Sequence, residues 1–95
     1  MDNEERREII QLIEDFCKNG DARFRNNYSG RGMYGAECVA VTTKDAGYAA
    51  IGLLTAYIAE YGNDDTLEEW KSVLKYTRSD DMGTGTVIYW PGLKL

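Results

Sequence analysis

The chain predicts an α+β domain with a small three-stranded antiparallel sheet packed with helices, in the order α-β-β-α-α-β. Three observations carry that expectation. Apolar residues recur at helical spacing at the start of the chain and again from residue 45 onward. The period drops to two at 22–28, and β-branched residues cluster at 37–43 and 86–90. Finally, 95 residues hold one core, so residues 1–95 read as a single domain.

The first helix covers residues 3–18. Ile9, Leu12, Ile13 and Phe16 fall at i, i+3, i+4 and i+7, with Glu4, Glu5, Arg6, Arg7, Glu14 and Asp15 as the polar set. Asp2 or Asn3 can cap it, and Asn19-Gly20 ends it, with glycine expected in the left-handed conformation. From Asp21 a strand follows, with Ala22, Phe24 and Tyr28 on one face and Arg23, Arg25 and Asn27 on the other. Glu37–Thr43 is the return strand of a hairpin.

Residues 45–61 are apolar almost all round, so this helix is expected to be the buried one. Its small residues Ala49, Gly52, Ala56 and Ala59 form a stripe suited to close approach by the sheet or another helix. Gly62 ends it, and Thr66 with Glu69 offers a capping box for a short helix through Leu67, Trp70, Val73, Leu74 and Thr77. The SDDMGTG stretch reads as a loop, and Thr86–Trp90 as the last strand, stopped by Pro91-Gly92. That strand is apolar on both faces, Val87 and Tyr89 on one, Ile88 and Trp90 on the other. It therefore calls for cover on both sides, from a helix or from a partner chain. With seven tyrosines in so small a chain, this leads to the expectation of a homo-oligomer, most simply a dimer.

A net charge of −5 disfavours direct binding to nucleic acid or to an anionic membrane. The charge is unevenly placed: Lys18, Arg23, Arg25 and Arg31 form one pole, and Glu60, Asp64, Asp65, Glu68 and Glu69 the other. Either pole can be plain solvated surface. The sharper reading makes the first an anion site and the second a contact surface for a basic partner. The chain has no histidine, and its two cysteines, Cys17 and Cys38, lack metal-ligand spacing. Zinc sites and imidazole acid–base chemistry are thereby excluded, and no metal or cofactor is expected. Cys38, on a strand without a visible base, and Trp70 and Trp90 read as core. The charged N-terminus is no signal peptide and no apolar run spans a bilayer, so cytoplasmic residence is the expectation.

The stretch SGRGMYG, residues 29–35, places Gly30, Gly32 and Gly35 at G-x-G-x-x-G spacing. A dinucleotide site needs a helix after those glycines, and here a strand follows. The kinase arrangement expects valine where Glu37 stands. What remains is a tight hairpin with Gly30-Arg31 at its centre, glycine supplying positive φ. Its surplus glycines also let the tip serve as a site. Arg31, with Tyr28, Met33 and Tyr34 alongside, can hold an anion and stack a base, or insert into a protein groove. No nucleophile, base and electrophile come together, so no catalytic residue is assigned and an enzyme is not expected.

The segment YSGRGMYGAEC followed by a β run resembles a segment of small uncharacterised phage and prophage proteins. That resemblance implies, by analogy, a role against host defence of the anti-CRISPR or signal-nucleotide-sponge kind. Three functions stay open. One is an inhibitor that binds a host protein, such as a nucleic-acid-binding defence complex, through the acidic pole or the hairpin. Another is a sponge for a nucleotide or other small anion at Arg31. The last is a structural or assembly protein.

Overall fold

The computed structural model describes residues 2–20, 22–43, 47–81, 83 and 85–94. Three helices and four strands follow one another as α1 (Asn3–Asn19), β1 (Ala22–Tyr28), β2 (Cys38–Thr43), α2 (Gly47–Tyr61), α3 (Asp64–Leu74), β3 (Arg78–Asp81) and β4 (Thr86–Trp90). The sheet is antiparallel throughout, in the order β1-β2-β4-β3. The α+β class is as expected, but the sheet has four strands rather than three. Arg78–Asp81, of which Ser79, Asp80 and Asp81 were read as loop, pairs with β4 as an edge strand.

Helix α1 starts on a capping box. Asp2 Oδ1 accepts from the Glu5 N–H at 2.9 Å, and Glu5 Oε2 accepts from the Asp2 N–H at 3.0 Å. Of the two possible caps, Asp2 is the one used. Gly20 closes the helix in extended backbone, φ −131°, not in the expected left-handed conformation. Helix α3 begins earlier than the Thr66/Glu69 pattern suggested. Asn63 is its cap, with Oδ1 accepting from the Thr66 N–H at 2.7 Å, and the helix ends at Leu74. Residues 44–46, where the start of α2 was expected, lie outside the described residues.

All three helices lie on one face of the sheet. Their apolar stripes meet Val39, Val41, Ile88 and Trp90 in a core that includes Ile9, Ile13, Leu54, Ile58, Trp70 and Leu93. Trp70 meets Trp90 edge-on, centroids 5.2 Å apart, and its indole N–H donates to Thr55 Oγ1 at 2.9 Å. Both tryptophans are core, as expected. Helix α2 is not buried all round: Leu54 and Ile58 point inward, while Ala49, Gly52, Ala56 and Ala59 face outward. The small-residue stripe therefore serves neither the sheet nor a neighbouring helix of this chain. An almost uniformly apolar helix has no polar face to reveal which side points out.

The second face of the sheet carries a separate cluster, Tyr28, Cys38, Ala40, Val87 and Tyr89. Neither a helix nor a second chain is needed to cover it, because the glycine-rich segment between β1 and β2 folds back over it. Met33 packs on the cluster, and Gly30 lies so close to Tyr89 that a Cβ there would sit 2.3 Å from the ring. The two-faced strand β4 is thus covered on both sides within one chain, which removes one of the two reasons given for a homo-oligomer.

Candidate functional site

Strand β1 does not keep the alternation its sequence suggests. Arg25 pairs with Ala40 and Tyr28 with Cys38, so two residues of β1 face one of β2 between these pairs. The bulge reverses the side on which the following residue points. Tyr28 consequently leaves the face of Phe24 and joins Arg25 on the second face. There its ring tilts against Tyr89, centroids 5.1 Å apart, and its hydroxyl donates to Asp80 Oδ2 on β3. The Arg25 guanidinium lies over the Tyr28 ring, 5.5 Å from its centre. Burial first, and then the bond to Asp80, push the Tyr28 phenol up to about 12. Tyr89 is raised in the same direction, first by burial and then by the Asp80 charge.

Two consecutive turns shape the covering loop. The Met33 N–H donates to the Gly30 carbonyl at 3.2 Å and the Ala36 N–H to the Met33 carbonyl at 3.0 Å. Arg31-Gly32 and Tyr34-Gly35 are therefore the turn centres, displaced by one residue from the expected Gly30-Arg31. Gly32 at φ +78° and Gly35 at φ +88° supply the positive φ. Tyr34, at φ 52°, shares that conformation and is completely exposed. Met33 instead points inward, with its sulfur accepting from the Gly30 N–H at 3.1 Å.

Beside the loop lies an open cleft of about 550 Å³ lined by Arg31, Arg78, Ser79, Asp80, Asp81 and Tyr89. Arg78 is brought there by its register opposite Tyr89, and its Nη1 lies 3.9 Å from where a Gly32 Cβ would stand. Both acids are engaged: Asp80 by the Tyr28 hydroxyl, and Asp81, whose Oδ1 accepts from the Gly83 N–H at 3.0 Å. Among the described residues neither Arg31 nor Arg78 forms an ion pair.

The expected site residues thus divide by role. Arg31 and Tyr34 are exposed on the loop, and Arg23 and Arg25 are exposed on β1. Tyr28 and Met33 are not available to a ligand in the way expected, since both hold the loop to the sheet. Sequence reasoning missed Arg78, Asp80 and Tyr89. A four-residue RSDD run, a Gly-containing turn and the TVIYW strand together form a hairpin signature that would have found the first two.

The acidic pole is larger than five residues. Asp65 and Glu69 of α3 line a hollow of about 210 Å³ with Asp2, Glu4, Glu5 and Glu8 of α1. Asp64 and Glu68 stand exposed on the same helix, Glu68 paired with Lys71 at 3.2 Å, while Glu60 sits at the end of α2. Acids there favour the two helix N-termini. Among the described residues no group of acids or thiols is placed to hold a metal ion, and no helix is long and apolar enough to cross a membrane. Both thiols are buried and raised, Cys17 to about 11, by burial first and by Glu14 second.

No family model, no curated protein and no solved structure matches the chain.

Proposed function

We propose that this is a non-catalytic protein-binding module whose working element is the glycine-rich loop, with Tyr34 and Arg31 as its anchors. One observation carries the reading. A tyrosine is held fully exposed at positive φ on a loop fixed by two turn hydrogen bonds and by Met33 and Gly30 against the sheet. An aromatic presented on a rigid loop gives contact area at little conformational cost, and exposed Tyr and Arg are characteristic interface anchors. Arg31 and Arg78 beside it, with the neighbouring acids already engaged, suit acidic side chains on the partner. The resemblance of this segment to phage and prophage proteins supports a host-defence protein as that partner and inhibition as the outcome.

The nucleotide-sponge reading is less favoured. A base held in the Arg31/Arg78 cleft needs an open aromatic face there, and Tyr89, the aromatic that lines it, is 2% exposed, while the open ring of Tyr34 does not line the cleft. Affinity capture from host extract with the parent protein and with Tyr34→Ala/Arg31→Ala tests the proposal. A defined protein retained by the parent and lost by the double variant, at equal melting temperature, is expected. Equal retention by both sinks the assignment to the loop. Stabilisation by added nucleotides that Arg31→Ala abolishes would favour the sponge instead.

A further inference from the structure

Strand β1 ends the sheet on one side, and its outer edge has no neighbour among the described residues. Which of its main-chain groups point outward follows from the strand beside it. The Val39 N–H is directed away from β1, to the Leu93 carbonyl beyond β4, at 2.9 Å. Main-chain groups of successive strand residues turn to alternate sides, so those of Ala40 and Thr42 face β1. Ala40 and Thr42 stand opposite Arg25 and Arg23, whose own main-chain groups therefore point to β2. Those of Ala22 and Phe24 point out of the sheet, with no partner among the described residues. Past Arg25 the bulge interrupts the ladder, so 22–25 is the regular stretch of this edge.

The side chains along it are sorted by face. On the helical side Ala22 and Phe24 are half-buried at the margin of the main core, as are Leu12 and Phe16 of α1. On the other side Arg23 and Arg25 are exposed, and neither meets a carboxylate among the described residues. We propose that this edge accepts an extended segment of a partner protein as a fifth strand, its residues alternating acidic and apolar. The apolar residues stand opposite Ala22 and Phe24, exchange main-chain hydrogen bonds with them and extend the core. The acidic ones stand opposite Arg23 and Arg25 in the non-hydrogen-bonded pairs, where facing side chains come closest. The same arginines exclude a second copy of this chain, because an antiparallel pairing of β1 with its own copy sets arginines of both chains on one face. The opposite edge, β3, mixes Arg78 with Asp80 and Asp81 and selects neither sign. This surface is separate from the glycine-rich loop and stands whether or not the loop binds.

The probe is a capped hexapeptide, Glu-Val-Glu-Val-Glu-Val, with Lys-Val-Lys-Val-Lys-Val as its counterpart, titrated at neutral pH into the ¹⁵N-labelled chain. Hydrogen exchange is read at the amides of Ala22 and Phe24. At saturation the glutamate peptide should slow both by about fivefold or more, while the amides of β3 keep their rates. It should bind at least roughly threefold more tightly than the lysine peptide, the scale of two cross-strand charge pairs. Methylating the valine nitrogens, the ones that donate to β1, should abolish its binding. Arg23→Glu/Arg25→Glu should invert the preference, so that the lysine peptide binds more tightly. Exchange at Ala22 and Phe24 unmoved by the glutamate peptide overturns the proposal, as does equal binding of the two peptides. Slowing confined to β3 also overturns it, placing the acidic segment at Arg31 and Arg78 instead. If the double variant does not fold, the three peptides on the parent chain decide alone.

Discussion

A single methyl group at Gly30 should lift the glycine-rich loop from the sheet. Built onto the backbone, a Gly30 Cβ falls 2.3 Å from Tyr89 Cζ, 2.5 Å from Cε2 and 2.6 Å from the hydroxyl oxygen. Ordinary contact begins near 3.4 Å, so the loop or the ring must move by about 1 Å. The ring has little room to yield, being 2% exposed and packed against Tyr28. Gly30 does not adopt positive φ, so the penalty is one of close approach and not of backbone strain. Overpacking of this kind costs about 1–3 kcal/mol. At roughly 4–8 °C for each kcal/mol in a domain of this size, Tm should fall by roughly 4–24 °C. Urea melts followed by tryptophan fluorescence measure the loss, and a double-mutant cycle with Tyr89→Leu assigns it. Leucine lacks the three atoms in conflict, so in that background Gly30→Ala should cost under about 0.5 kcal/mol, a coupling of about 1 kcal/mol or more. An equal cost in both backgrounds would falsify the placement of the loop on Tyr89.

Trp70→Ala should destabilise by about 3–5 kcal/mol in denaturant melts, through lost burial and the cavity left beside Trp90. Gly52→Ala, on the exposed side of α2 with nothing within 4 Å of the new methyl, should stabilise by about 0.5–1 kcal/mol in the same assay. Absorbance titration near the phenolate band should resolve one tyrosine ionising at about 12, and Asp80→Asn should bring it down by removing the neighbouring charge. Because the folded-state value of Tyr28 is raised, its contribution to stability is complete below the unfolded value of about 10. It is lost as pH rises through about 12, so melts should show alkaline destabilisation in that window.

Elements with a strong period were legible in the sequence. Helix α1 announces itself through Ile9, Ile13 and its acidic first turn, and β2 and β4 through their β-branched runs. Strand β3 was not, because RSDD has no apolar period. It needs none at an edge, where charge discourages further strand pairing. The bulge in β1 was equally hidden, since Arg25-Asn26-Asn27-Tyr28 reads as regular alternation until a partner strand fixes the register. That one residue decides whether Tyr28 meets the helices or Asp80. Arg31 and Tyr34 were found because glycines flag the loop. Tyr89 and Arg78 became visible only once strands lying 47 to 61 residues further along the chain were brought up to Tyr28 and Arg31.

The two clusters that share this sheet differ greatly in how they are closed. One is sealed by three helices, the other by a single loop that Met33 and Gly30 pin down. Opening the second requires only the release of that loop, while the first requires global unfolding. The amides of Met33 and Ala36 should therefore exchange with solvent together, through one low-energy excursion that leaves the helical side intact. A partner that grips Tyr34 and Arg31 clamps the same segment, so its binding would be felt as slower exchange at Cys38 and Ala40, residues it never touches.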